Sequence, residues 1–211
     1  MTAIIGKKFE DGVLILADKR ITIRGTQEFT DDVKKIMILS PKLIFAYAGV
    51  KNIVDMCVGN LQRYAQDPAN SLEGIIKHTQ KLFCSALDHF KKHHPRQRYD
   101  TVYILAGYTD DDETFIFYFS SDDLFQHRKP LEFFYKAYPS SEMLKLRTCL
   151  INEVDQSQKD ISYYIQKFSA AIRSINHPMV GKSTYSIYLS KNEYCEMEID
   201  ENGSCTKVKK L

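Results

Sequence analysis

Met1-Thr2-Ala3-Ile4-Ile5-Gly6, followed by Val13-Leu14-Ile15-Leu16-Ala17-Asp18-Lys19-Arg20, is the stretch on which the reading of this chain turns. Two short apolar runs separated by Asp11-Gly12 predict a pair of strands, and their unbroken apolar character predicts cover on both faces. A threonine in second place gains chemistry only when Met1 is removed. The free α-amine then has an unperturbed pKa of about 7.7–8.0 and sits on the same residue as the hydroxyl it must deprotonate, directly or through water. Threonine is small enough for aminopeptidase removal of the methionine before it, so we expect Thr2 to become the first residue, with no propeptide. Most chains that begin Met-Thr make no use of the threonine, and the dipeptide takes its meaning from the residues after it.

Working outward, Ile36–Leu39 and Leu43–Ala48 are two more short apolar runs, punctuated by Gly25 and Pro41, and are expected to be strands. Val50, Ile53, Val54, Cys57, Val58 and Leu61 recur at helical spacing, as do Leu72, Ile75, Ile76, Leu82, Phe83, Ala86, Leu87 and Phe90. Asn70 with Glu73 three residues later predicts a capping box for the second helix, after a turn at Asp67-Pro68. The pattern then repeats. Strands are expected at Thr101–Tyr108 and Thr114–Ser120 around the acidic turn Asp110-Asp111-Asp112, and helices at Met143–Val154 and along Ile161, Tyr164, Ile165, Phe168, Ala171, Ile172 and Ile175. Two final strands, Thr184–Leu189 and Tyr194–Ile199, end near Asn202-Gly203. Strands, two helices, strands, two helices, strands is a layered pattern, not the strict alternation of a doubly wound sheet. No linker, repeat or low-complexity stretch divides residues 1–211, so a single domain is expected.

A formal charge of +2 from 29 basic and 27 acidic side chains is close to balanced and points to neither nucleic acid nor a membrane surface. Lys207, Lys209 and Lys210 read as a solvated basic tail. Lys7 and Lys8 interrupt the first apolar run too early for a secretory signal, and no segment is long and apolar enough to span a bilayer. Five cysteines, an odd number without a Cys-x-x-Cys pair, suggest neither a disulfide framework nor a zinc ribbon and fit a reducing, cytoplasmic setting. His89 and His93 share a helical face, but with Lys91, Lys92 and His94 beside them and no third ligand signalled they read as a solvated basic face. No cofactor or metal is expected. The aromatic stretches Phe115–Phe119 and Phe133-Phe134-Tyr135 read as strand core or subunit contact.

An N-terminal nucleophile needs a cation to keep the local field positive, an acid to hold that cation, and a backbone donor for the oxyanion. Lys35, in Val33-Lys34-Lys35-Ile36, is the candidate cation. Asp18, at the end of its apolar run, is the acid that fixes the ammonium by a charge-assisted hydrogen bond. Gly49, in Ala46-Tyr47-Ala48-Gly49 before a predicted helix, offers an unhindered N–H where the helix dipole favours an oxyanion. Singly, each has an ordinary explanation: a structural ion pair, a surface charge at Arg20, a loop glycine before a helix.

Taken together and in order, Thr2, Asp11-Gly12, Ala17-Asp18-Lys19-Arg20, Val33-Lys34-Lys35-Ile36 and Ala48-Gly49 resemble the N-terminal nucleophile hydrolases of the proteasome β-subunit and HslV type. The separations from Thr2 to Asp18 and from Lys35 to Gly49 match without a gap. One extra residue between Arg20 and Lys34 leaves Lys34 as the alternative reactive-site lysine, with Lys35 preferred because it directly precedes the isoleucine. The resemblance implies an α+β fold, a four-layer αββα sandwich of two antiparallel sheets between helical layers. It implies Thr2 as nucleophile, Asp18 and Lys35 as its electrostatic support and the Gly49 amide as oxyanion donor, in a threonine-type peptidase or amide hydrolase. It also implies a homo-oligomeric ring acting on peptide or protein substrates, with a regulatory ATPase as partner. The family's later turns correspond to Tyr138-Pro139-Ser140-Ser141 and to His177-Pro178-Met179-Val180-Gly181, where His177 stands for an aspartate and Val180 for a serine. Ser140 or Ser141 is a candidate to supply a missing hydroxyl. Those departures keep two other readings alongside the first: a catalytically impaired structural or assembly subunit, and a small-amide hydrolase.

Overall fold

The computed structural model describes residues 2–22, 28–97, 99–126 and 129–210, without the side chains of Lys207, Val208 and Lys210; Met1 and the Gly25 punctuation lie outside the described residues. Six strands come first: β1 (Ala3–Lys8), β2 (Gly12–Asp18), β3 (Ile21–Thr22), β4 (Phe29–Thr30), β5 (Ile36–Ser40) and β6 (Leu43–Gly49). Helices α1 (Lys51–Gln66) and α2 (Leu72–His93) come next, then β7 (Thr101–Tyr108), β8 (Thr114–Ser120) and β9 (Phe133–Ala137). Helices α3 (Met143–Glu153) and α4 (Ile161–Ser174) lead to β10 (Thr184–Ser190), β11 (Tyr194–Ile199) and β12 (Cys205–Lys210). The chain is therefore mixed α+β.

All pairings among the described strands are antiparallel. One sheet runs β12-β11-β10-β2-β1-β9, a second runs β5-β6-β7-β8, and β3-β4 is a small hairpin. The expected strands form where the apolar runs stand, with one correction at the C-terminal end. Phe133-Phe134-Tyr135, read as strand core or subunit contact, lies in the edge strand Phe133–Ala137 against β1, with Ala3 opposite Ala137. The segment read as a basic tail continues past Asn202-Gly203 as β12, paired with β11, and Gly203 turns the chain with φ +91°.

The unbroken apolar strands are explained by where alternate residues go. In β2, Leu14 and Leu16 join Leu146 and Leu150 of α3 and Phe168 and Ile172 of α4. Val13 and Ile15 point the other way and pack with Ile44, Ala46, Ile104 and Ile116 of the second sheet. In that sheet Phe45 and Tyr103 turn toward Ile53 and Leu61 of α1 and Phe83 and Leu87 of α2. Both faces of these strands bury side chains, so neither shows the alternation of a half-solvated strand. Each wholly buried aliphatic or aromatic side chain contributes at most about 1.5–3 kcal/mol relative to exposure.

The start of α2 departs from expectation. Ser71, not Asn70, is the N-cap, its Oγ accepting from Gly74 N at 3.2 Å. Asn70 instead donates through Nδ2 to the Tyr64 carbonyl at 2.9 Å, tying the end of α1 to the turn, and Glu73 pairs with Lys77 one helical turn on. Both residue types cap well, so spacing alone chose the wrong neighbour. Ser71→Ala is expected to cost about 1 kcal/mol in urea denaturation at an unchanged m-value.

Candidate active site

The carboxylate of Asp18, the last residue of β2, is wholly buried and accepts hydrogen bonds on both oxygens. Oδ1 takes the Ala3 amide at 2.8 Å and the Lys35 ammonium at 3.0 Å. Oδ2 takes the Gly181 amide at 3.0 Å and the Arg20 amide at 3.1 Å. A buried carboxylate left unpaired is expensive, and four donors from four separate chain segments offset that cost.

Lys35 is equally enclosed, at 1% exposure of its side chain. Burial lowers its ammonium pKa from the ordinary value of 10.5, and the adjacent Asp18 charge acts in the opposite direction. Its neighbour does something else: Lys34 stands over the Tyr185 ring at 4.3 Å and pairs with Glu196 at 3.3 Å, with 42% of its side chain exposed. Alternation along the chain sends one lysine inward and the other outward.

Thr2 lies immediately before β1, buried to 1% exposure, and its carbonyl accepts from Tyr138 N at 2.9 Å. The amide that follows it and the Lys35 ammonium share one oxygen of Asp18, which places residue 2 beside the buried cation. Gly49 joins the group through the second sheet. Tyr47 N donates to the Lys35 carbonyl at 3.1 Å, and N–H groups two residues apart on a strand leave from the same edge, so the Gly49 amide projects past the end of β5 on the Lys35 side. Gly49 has φ +113°, and a Cβ there would stand 2.1 Å from the Asp100 carbonyl oxygen. Only glycine fits.

The turn at residues 177–181 closes the site from the other side. Val180 N donates to the His177 carbonyl at 3.0 Å and Met179 N to His177 Nδ1 at 3.2 Å, an imidazole accepting where a short acidic side chain does so in comparable turns. Arg20 spans turn and hairpin: Nε and Nη2 grip Asp31 at 2.6 Å each, and Nη1 donates to the Pro178 carbonyl at 2.8 Å. A Cβ on Gly181 would approach Arg20 Cβ to 2.9 Å, so the turn packs directly on this segment. Arg20 is thus held in a bidentate pair and is not a free surface charge.

A family model for the proteasome subunit matches residues 2–123. The chain belongs to the proteasome subunit family. No curated protein matches it. The match runs from the first described residue through the whole second sheet, and so contains Thr2, Asp18, Lys35 and Gly49.

Within this proteasome-family chain, Asp18 and Lys35 pair directly, Thr2 precedes the Ala3 amide that donates to the same carboxylate oxygen, Gly49 ends β6 of the second sheet opposite Thr101, and Lys34 stands apart. Ser140 and Ser141 are exposed, and among the described residues no hydrogen bond joins either hydroxyl to Thr2. Val180 is wholly buried in the apolar cluster with Ala3. Sequence reasoning missed Asp31 as the partner of Arg20 and Gly181 as a donor to Asp18. The first carried the weak signal of an acid after a short interval; the second is a backbone contact that no side chain announces. The five cysteines are free thiols, and burial pushes Cys57 up to about 12. The rings of His89 and His93 stack at 4.1 Å, with His93 Nδ1 against the His89 carbonyl. Among the described residues, no helix is long and apolar enough to cross a membrane.

Proposed function

We propose that this chain is a threonine-type N-terminal nucleophile peptidase or amide hydrolase, working as one subunit of a proteasome-like ring in the cytoplasm and activated by removal of Met1. The observation that carries the reading is the buried Lys35–Asp18 pair, at 3.0 Å, which shares its carboxylate oxygen with the Ala3 amide at the start of the strand that follows Thr2. A structural ion pair alone is a poor reason to bury two charges, since an apolar pair of similar volume is often as stable. In the proposed reaction Thr2 Oγ attacks the substrate carbonyl carbon, its proton passing to the Thr2 α-amine. The displaced π pair becomes an oxyanion facing the Gly49 amide. Collapse expels the amine leaving group, which takes the proton, and water releases the acyl group by the reverse sequence. Asp18 orients Lys35, whose positive charge favours the alkoxide.

We read the three apolar clusters as the seams of a four-layer αββα sandwich formed by residues 1–211 as one domain, with α1 and α2 outside one sheet and α3 and α4 outside the other. Ring assembly, peptide or protein substrates and a regulatory ATPase accompany the reading through family membership. Val180 and His177, standing where the family carries serine and aspartate, favour the second reading of a structural or assembly subunit.

Intact-mass measurement on chain from its native host, before and after treatment with a peptide epoxyketone, distinguishes the two. The expected result is a chain that begins at Thr2 and gains one inhibitor mass, mapped to that residue. Complete retention of Met1 with no adduct establishes the structural reading instead.

A further inference from the structure

The end of β6 and the start of β7 are locked together around Gly49. Gly49 lies opposite Thr101 in the ladder, and its Cα comes so close to the backbone there that an added Cβ would meet Asp100 O at 2.1 Å and Thr101 Cα at 2.7 Å. Thr101 is wholly buried, yet its side chain is polar. Its Oγ1 accepts from Val50 N at 3.2 Å, the amide immediately after Gly49 and the N-cap position of α1, where Val50 itself supplies no side-chain cap. Its own N–H donates to Ser121 Oγ at 3.0 Å. Ser121 therefore fixes Thr101, and Thr101 fixes the peptide unit that follows Gly49.

We propose that Thr101 is a positioning residue for the oxyanion donor: by holding the Gly49–Val50 peptide it fixes the backbone of Gly49 at φ +113°, and with it the neighbouring Ala48–Gly49 peptide whose N–H is aimed along the Lys35 edge of β6. The proposal rests on the hydrolase reading and assigns a role to a residue that touches no substrate. The alternative, that the hydroxyl only caps α1, makes no distinction between reactions that develop an oxyanion and those that do not. Valine has the same branched shape but no acceptor, so Thr101→Val leaves Val50 N–H without its partner while filling the same space. Serine restores the acceptor.

The test uses full-length chain processed to Thr2 and three readouts: hydrolysis of a fluorogenic peptide amide, inhibition by a peptide aldehyde, and labelling by a peptide vinyl sulfone. The aldehyde forms a tetrahedral adduct with Thr2 whose oxygen occupies the oxyanion position. With the vinyl sulfone, Thr2 Oγ adds to the β-carbon of the vinyl group while the α-carbon takes up the proton, so no carbonyl oxygen comes to the oxyanion position. For Thr101→Val we expect kcat and aldehyde affinity each to fall about tenfold to a hundredfold, with KM and vinyl sulfone labelling within about threefold of wild type. Thr101→Ser is expected to recover at least half of the lost kcat. A Thr101→Val enzyme with wild-type kcat overturns the positioning role, as does a parallel loss of hydrolysis and vinyl sulfone labelling. A wild-type chain inert to all three reagents overturns the hydrolase reading, and the positioning role falls with it.

Discussion

Thr2→Ala is expected to abolish labelling by a peptide vinyl sulfone and hydrolysis of peptide substrates, with the fold retained. Lys35→Met is expected to lower both by at least about a hundredfold, whereas Lys34→Met leaves them within about twofold. The contrast comes from where adjacent lysines go. Lys35 donates to buried Asp18 beside the strand that Thr2 opens, and its removal withdraws the positive field and leaves an unpaired buried carboxylate. The second effect appears in stability as well, with a loss of about 3–5 kcal/mol in urea denaturation. Lys34 holds a half-exposed pair with Glu196, worth at most about 1 kcal/mol. If the two lysine variants exchange behaviours, the reactive-site lysine is Lys34. Thr2→Ala labelled at the wild-type rate means that another residue is the nucleophile.

Asp18→Ala is expected to be the most destabilising single change in the chain, by at least about 4 kcal/mol, enough to unfold much of a domain of ordinary stability. It strands one buried ammonium and three amides at once, from Ala3, Arg20 and Gly181. Asp18→Asn keeps one acceptor oxygen but turns an N–H₂ toward donors, so an intermediate loss is expected. Urea denaturation of both variants measures the difference. A cost below about 1 kcal/mol for the alanine variant means that water replaces the carboxylate and that the node contributes little to folding.

Most elements were legible because their apolar runs are continuous and cleanly punctuated, as in Val13–Ala17 or Leu43–Ala48. The misses have physical causes. β12 reads Cys-Thr-Lys-Val-Lys-Lys, and charges on an edge strand, which discourage unwanted pairing, look in sequence like a solvated tail. The aromatics of β9 supported a strand, but their mix with Lys136 left strand core and subunit contact both open. At the site, the order of Thr2, Asp18, Lys35 and Gly49 was readable from their neighbours. The choice between Lys34 and Lys35 depends on a strand face, which an uncertain one-residue insertion hides. The Gly181 and Ala3 contacts are made by backbone amides and leave no trace in residue type.

The four donors around Asp18 also set a timetable. Three of them come from the first 35 residues, but the Gly181 amide lies 163 positions further along the chain than the carboxylate it serves. At ordinary translation speeds of about 5–20 residues per second, that interval lasts roughly eight to thirty seconds. Throughout it the ribosome carries a chain whose N-terminal segment is finished but whose carboxylate is still short of one partner. A nascent or truncated chain that ends before Gly181 therefore holds the Asp18 carboxylate with three of its four donors, and the last of them arrives only when most of the chain has been made.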